Sequence, residues 1–258
     1  MLEPSNLNLL LIDAPVGRHL AQLHKDKQAR VEAVSVFVEE GLRRGNGVVV
    51  VTSSLEADHL LERLSMDRLD PEVFRRSGQF VIHDAEVLLQ QFMKGGMPDW
   101  GIFRRTMGSV LDKVEALGYS TARVYGDMVD ILWQQGQVQA AIRLEELWND
   151  FGRMYPFSLF CSYMYDNRDE SFYKNPLHEI GRTHTDIVVS PDDEMCREVM
   201  VNAIRDIFGM KLSEMLHSES EEIPGEDKLP DADRAVLWIL KNRSTRLVDV
   251  LDRIRAAQ

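Results

Sequence analysis

The 258-residue chain is acidic, with 42 aspartates and glutamates against 30 lysines and arginines and a net charge of −12. That balance argues against direct nucleic-acid binding, which requires a basic surface. The two cysteines, Cys161 and Cys196, cannot form a disulfide framework and are typical of a reducing compartment. No run approaches the roughly 20 apolar residues needed to span a bilayer, and residues 1–6 lack the basic-then-apolar order of a signal peptide. We therefore expect a cytoplasmic protein without membrane contact.

Short apolar runs alternate with amphipathic stretches along the chain, which is typical of a sheet flanked by helices. The four consecutive valines of GVVVVT at 47–52 predict a strand buried on both faces, hence a central parallel strand. Gly45, just before it, is expected to end a helix. The sequence therefore predicts an α/β fold with a mostly parallel central sheet. The predicted strands are 7–12, 19–23, 47–52, 79–83, 122–125, 157–163 and 186–189, and the predicted helices are 28–44, 55–64, 86–93, 101–117, 128–133 and 138–153.

The chain changes character after residue 190, which predicts a core over 1–190 and a C-terminal helical extension over 191–258. Residues 195–216 have the apolar spacing of one long helix. Residues 217–228 are rich in acidic residues and contain Pro224 and Gly225, so an acidic linker is expected there. Residues 229–257 predict a second helix with an apolar stripe.

A phosphate-binding loop of the form G-x-x-x-x-G-K-[ST] is missing from the sequence. The stretch DAPVGRH at 13–19 follows an apolar run, but it has one glycine, and the dipeptide Gly-Lys occurs nowhere in the chain. Pro15 removes an amide donor, and Arg18 offers a phosphate only its charge. Conventional ATP hydrolysis is therefore not expected, and no catalytic residue is predicted.

No metal site is predicted either. His19 and His24 are five residues apart, a spacing that points them to opposite faces of a strand. The two cysteines are far apart in sequence, and Cys161 is interpreted as a small buried hydrophobic residue. The sequence specifies no cofactor.

Several polar residues follow predicted strands, where open α/β sheets bind ligands. Asp127 comes after the strand ARVY and predicts either a ligand contact or the N-cap of the next helix. Glu56 follows GVVVVT. It is predicted either to contact a ligand in the same crevice or to interact favourably with the dipole of the helix that begins there. Glu145 lies on a helix beside Trp148 and is a polar anchor if it turns inward. Trp133 fits the core face of the preceding helix.

Ordered motifs run from 19 to 191. They are HLAQLH (19–24), FVEEGLRRGNGVVVVTS (37–53), SGQFVIHDAEVLLQQFMKGGMPD (77–99), RVYGDMVDILWQQGQVQAAIRLEELWND (123–150), FSLFCSYMYD (157–166) and THTDIVVSP (183–191). Together these motifs resemble the MEDS family, the methanogen/methylotroph, DcmR sensory domain. The resemblance implies a RecA/KaiC-like fold without a working Walker A motif, and a degenerate P-loop. It also implies a sensory role beside transcription factors, histidine kinases or response regulators, with hydrocarbon derivatives as the ligand class. His24 replaces a usual aromatic residue and Asp127 a usual glutamate, so the ligand need not be the same.

The leading hypothesis is a non-catalytic sensory module that binds a small ligand or a regulatory protein and relays its state through the C-terminal helices. Its partner would be a histidine kinase, response regulator or transcription factor, or a second copy bound through those helices. The alternative is a divergent nucleotide-binding protein or ATPase that uses Arg18, Glu56 and Asp127 as a non-standard phosphate site. A scaffold without a ligand is a third reading. The candidate ligand-binding residues are His19, Glu56, Tyr125, Asp127, Trp133, Glu145 and His184.

Overall fold

A computed structural model describes residues 9–165, 176–188, 201–217, 228–229 and 231–243. The chain divides into two compact units, Met1–Met164 and Tyr165–Gln258. The boundary predicted between residues 190 and 191, and most of the acidic linker predicted over 217–228, lie outside the described residues. No helix in the described part of the chain has the length and apolar character that crossing a bilayer requires.

Five parallel strands of the first unit form a sheet in the order β3-β2-β6-β7-β1, and helices flank it. A short antiparallel hairpin, β4 with β5, stands apart from this sheet. The strands are β1 (His19–His24), β2 (Gly47–Thr52), β3 (Phe80–Asp84), β4 (Met93–Lys94), β5 (Met97–Pro98), β6 (Ala122–Gly126) and β7 (Phe157–Met164). The helices are α1 (Leu9–Asp13), α2 (Lys27–Arg43), α3 (Ser54–Met66), α4 (Pro71–Arg76), α5 (Ala85–Phe92), α6 (Trp100–Ala116), α7 (Met128–Gln134) and α8 (Val138–Gly152). The predicted α/β class with a parallel sheet and C-terminal helices is confirmed.

The valine-rich strand β2 occupies the position that its composition predicts. All six of its residues are buried, and it pairs in parallel with β3 on one side and β6 on the other. Gly45 lies just beyond the end of α2 with φ of +74°, a left-handed conformation that a glycine adopts without strain. The Gly-Asn turn at 45–46 therefore brings the chain from α2 directly into the centre of the sheet.

The strand predicted at 7–12 is wrong over its described part, because Leu9–Asp13 is helix α1. The Arg123 guanidinium, on buried strand β6, donates hydrogen bonds to the carbonyl oxygens of Leu11 at 2.9 Å and Ile12 at 2.7 Å. These are carbonyls that a short helix leaves without intrahelical partners at its C-terminal end. The apolar run is compatible with either a strand or a helix. Hydrogen bonds from an arginine that is distant in sequence stabilise the helix.

The strand register assigns side chains to two faces of the sheet, because successive residues of a strand point to opposite sides. His19 on β1 is level with Leu159 on β7, so His19, Cys161 and Tyr163 share a face. This is the face covered by α8, where Trp148 packs on Phe157 with ring centroids 6.0 Å apart. The opposite face, covered by α2, carries Gln22, His24, Thr52, Tyr125 and Ser162.

The second unit contains the short strand β8 (Asp186–Ile187) and several helices. The single long helix predicted over 195–216 is wrong within its described part, because Gly209, with φ of +67°, separates helical residues 201–208 from Leu212–His217. The helix predicted over 229–257 is confirmed over Asp231–Arg243; Leu229 lies outside this helix, and residues 230 and 244–257 lie outside the described residues. Pro176–Thr183 is a further helix of this unit.

Candidate functional site

A buried guanidinium on α2 forms ion pairs with residues of two other helices, α3 and α7, at the carboxyl end of the sheet. Arg30 on α2 lies 2.9 Å from Glu56 on α3 and 3.0 Å from Asp130 on α7, and each of the three side chains is at most 10% exposed. The Lys27 ammonium lies 3.7 Å from the same Glu56 oxygen but is largely exposed. Together with Asp127, these groups form what we call the Arg30 cluster: one buried cation facing three buried carboxyl groups.

The sequence around each acid explains its position. Ser53 caps α3 by accepting a hydrogen bond from the Glu56 amide, so the glutamate lies in the first helical turn directly after β2. Asp130 lies in the first turn of α7, directly after β6 and Asp127. One oxygen of Asp130 also accepts hydrogen bonds from the Met164 amide at 3.0 Å and from Gln134 at 3.2 Å. Asp130 is therefore held in place from three sides.

Asp127 is the least satisfied member of the cluster. Its Oδ2 accepts a hydrogen bond from the Thr52 hydroxyl at 2.5 Å, while its buried Oδ1 has no hydrogen-bond partner. The side chain makes no capping bond to α7, so the N-cap interpretation does not account for it. Burial raises the pKa of Asp127 to about 7, reinforced by Asp130 and Glu56 and opposed by Thr52 and Arg30. This carboxyl group therefore exchanges its proton near neutral pH.

Other polar atoms on the α2 face also lack partners. The Gln22 side-chain oxygen and both ring nitrogens of His24 are buried without hydrogen bonds. Burial, aided by the nearby Arg30 charge, lowers the pKa of His24 to about 3, so its ring is neutral at physiological pH. Unpaired buried polar groups are uncommon and costly, and they call for a ligand, water or functional strain as an explanation.

Tyr125 completes this region, with its hydroxyl 2.7 Å from the Ser162 hydroxyl. Burial holds the pKa of Tyr125 well above its ordinary value. A cavity of about 10 Å³ lies nearby, which is roughly the space of one water molecule. It is lined by Arg30, Val31, Val34, Thr52, Glu56, Leu60 and Tyr125.

A second polar cluster lies on the α8 face. The His19 Nε2 atom is 3.1 Å from a Glu145 carboxylate oxygen and 3.4 Å from the Cys161 sulfur. The Tyr163 hydroxyl donates a hydrogen bond to the other oxygen of Glu145, and His19 Nδ1 lies 2.9 Å from the Asn149 side-chain oxygen. We call His19, Glu145 and Cys161 the His19 cluster.

Comparison with protein families matches residues 18–185 to MEDS, described as MEthanogen/methylotroph, DcmR Sensory domain. The chain belongs to the MEDS family. No curated protein matches the chain. MEDS is a sensory domain family, and the matched range contains all residues of both clusters.

The MEDS fold separates the sequence-predicted site residues into two groups. Glu56 and Asp127, which follow strands, and Tyr125, which lies within β6, come together around Arg30. His19 does not join them, because it begins β1 at the opposite end of the strand and on the α8 face, where it meets Glu145. Trp133 packs against Tyr163 beside that second cluster, with ring centroids 6.2 Å apart. His184 lies in the second unit and contacts the Ile180 carbonyl at 2.8 Å.

Some members of both MEDS clusters were missed by sequence reasoning. Thr52 ends the GVVVVT strand and Asp130 comes three residues after Asp127, so strand-end position was a usable signal for both. Arg30 carried no such signal, because a charged residue in an amphipathic helix reads as solvated. The local sequence predicts an apolar role for Cys161, since its polar partners come from segments far away in sequence.

Proposed function

We propose that this MEDS domain senses a small organic ligand that carries a hydrogen-bond donor and binds at the Arg30 cluster. The observation that carries the proposal is the buried Asp127 carboxyl group, which has a partnerless oxygen and a raised pKa of about 7. A ligand hydroxyl or protonated amine would donate to that oxygen and remove the cost of an unpaired buried acceptor. The missing hydrogen-bond donor at Asp127 Oδ1 thus defines the ligand class.

The charges of the cluster favour such a donor over a nucleotide phosphate. Three buried carboxyl groups surround one buried guanidinium, so an additional anion is repelled. The connection from β1 to α2 contains only Lys25 and Asp26, too short for a phosphate-cradling loop. Asp26 accepts a hydrogen bond from the Ala29 amide at 2.8 Å, which occupies the helix N-terminus with a carboxylate. These features weigh against the alternative of a divergent ATPase, and we propose no catalytic activity.

The small cavity also supports a switching role. Because about 10 Å³ accommodates only one water molecule, a larger ligand enters only if α2 and α3 separate. Ligand binding would then favour an open conformation over the closed one, which is how a sensor converts occupancy into a change of shape. We propose that the C-terminal helices relay this change to a cytoplasmic histidine kinase, response regulator or transcription factor, or to a second copy.

A thermal-shift screen of the full chain tests the ligand class. The panel contains short-chain alcohols, alkylamines, ATP, GTP and a cyclic dinucleotide. A ligand at 100 times its Kd stabilises the folded state by about 2.7 kcal/mol. We expect a shift with an alcohol or amine that is lost in Asp127→Ala and kept in Asp84→Ala, a matched control at the exposed end of β3.

The other outcomes decide against the proposal. A shift with ATP or GTP that disappears in Asp127→Ala would support the nucleotide-binding alternative instead. The absence of any shift across the panel in the wild-type protein, or a donor-ligand shift that Asp127→Ala leaves intact, would remove the Arg30 cluster as the sensory site.

A further inference from the structure

The His19 cluster brings together three kinds of donor atom that bind metals in proteins. An imidazole nitrogen from β1, a carboxylate oxygen from α8 and a sulfur from β7 lie within 4.8 Å of one another. All three side chains are buried. We propose that His19, Glu145 and Cys161 form a binding site for a zinc ion. This site lies on the opposite face of the sheet from the Arg30 cluster and does not depend on the proposed ligand.

The distances between the donor atoms are close to those of tetrahedral zinc coordination. With bonds of about 2.0–2.2 Å to nitrogen and oxygen and about 2.3 Å to sulfur, tetrahedral angles separate the ligand atoms by about 3.4–3.6 Å. The observed separations are 3.1 Å between His19 Nε2 and Glu145, 3.4 Å between Nε2 and the Cys161 sulfur, and 4.0 Å between sulfur and carboxylate. The three atoms need shifts of only a few tenths of an ångström to surround an ion.

Neighbouring residues orient the proposed ligands in the way that metal sites require. Asn149 Oδ1 lies 2.9 Å from His19 Nδ1, so it accepts the proton on that nitrogen, and a neutral ring then presents the lone pair of Nε2 to the cluster. The Tyr163 hydroxyl donates to the Glu145 oxygen that faces away from His19. Asn149 and Tyr163 are thus positioning residues for a histidine and a carboxylate ligand.

The charges of the three side chains would also fit a divalent cation. A zinc-bound cysteine is a thiolate, so Cys161 and Glu145 together would contribute two negative charges. The side chains of His19 and Glu145 are only 7% and 4% exposed, which makes an uncompensated charge there expensive. One Zn²⁺ neutralises both anions. Zinc sites with three protein ligands bind water or another donor in the fourth position.

Cobalt substitution tests the site directly. Full-length protein stripped with a chelator is titrated with Co²⁺, whose bond to a thiolate gives a charge-transfer absorption, and Zn²⁺ then displaces it. We expect one metal per chain and loss of the charge-transfer absorption in Cys161→Ser. Glu145→Gln should lower the zinc affinity at least ten-fold, and Asn149→Leu should lower it by about 10- to 100-fold.

Two variants serve as matched controls. Cys196→Ser removes the only other cysteine of the sequence, and Ser162→Ala changes the neighbour of Cys161 that points to the opposite face of β7. Both should keep the absorption and the affinity. The proposal is overturned if the wild-type protein binds no stoichiometric metal, or if Cys196→Ser loses the absorption while Cys161→Ser keeps it. Should circular dichroism show that Cys161→Ser is unfolded, an unchanged zinc affinity in folded Glu145→Gln overturns it equally.

Discussion

Replacing Asp127 by asparagine should change how the stability of the first unit depends on pH. Folded Asp127 keeps its proton up to about pH 7, while an unfolded aspartate releases it near pH 3.8. Between these values the folded state holds more protons, so this group makes the free energy of unfolding fall as the pH rises. At about 1.4 kcal/mol per pH unit, the loss over the whole window is about 4 kcal/mol.

Asparagine keeps an acceptor for the Thr52 hydroxyl but cannot ionise, so Asp127→Asn should remove this loss. We expect the variant to gain about 3 kcal/mol relative to the wild-type protein between pH 5 and pH 8. Urea unfolding at several pH values measures the difference. The transition can be followed by tryptophan fluorescence, to which Trp100, Trp133 and Trp148 of the first unit and Trp238 of the second unit contribute.

Asp84→Asn is the matched control, because Asp84 also lies at the carboxyl end of a strand but is exposed; its side chain caps α5. Asparagine is as good an N-cap as aspartate, so this variant should follow the wild-type pH dependence. If Asp127→Asn leaves the difference from the wild type constant between pH 5 and pH 8, then Asp127 does not titrate as a buried carboxyl group. The proposed function would lose its main support with it.

Three further variants probe the same unit. Arg30→Gln breaks a buried bridge between two carboxylates and should cost about 3–5 kcal/mol in urea unfolding, whereas Arg43→Gln, on the same helix but in an exposed pair, should cost at most about 1 kcal/mol. His24 of the folded chain stays neutral down to about pH 3, whereas the histidine of the unfolded chain binds a proton below pH 6.5. Lowering the pH through this range therefore favours the unfolded state. His24→Leu should therefore reduce the acid-induced loss of stability between pH 6.5 and pH 5 by about 2 kcal/mol, and an unchanged loss would contradict the assignment. Gly47→Ala places a Cβ 2.1 Å from a methyl carbon of α6 and should lower the unfolding free energy by about 1–3 kcal/mol, while Gly126→Ala, with its nearest contact at 4.0 Å, should not.

Much of the fold could be predicted because local patterns and the tertiary structure agree. The run of valines at 47–52 has no solvent-facing side, and the structure buries both of its faces at the centre of the sheet. Helix α1 escaped prediction because the group that completes it, Arg123, is distant in sequence. Helix α4 was missed as well, although Asp70 before Pro71 is a recognisable helix start.

The candidate site was predictable only for residues whose positions follow from the ends of strands. Asp127 and Glu56 follow adjacent strands, so their proximity follows from parallel pairing alone. The meeting of His19, Glu145 and Cys161 depends on the register between β1 and β7 and on how α8 lies across them. Neither the register nor the helix position is encoded in local spacing, so closely spaced histidines and cysteines, the usual sequence pattern of a metal site, do not mark this cluster.

The bond network of Arg123 also bears on the order in which the chain assembles during synthesis. Helix α1 is made first among the described elements, yet the guanidinium that satisfies its terminal carbonyls follows 112 positions after Leu11. At about 5–20 residues per second, a ribosome takes roughly 6–22 s to cover that distance. Throughout that interval water must solvate those carbonyls, so α1 becomes stable only once β6 has been synthesised and has joined β2. Helix α1 is therefore stabilised later than its place in the sequence suggests.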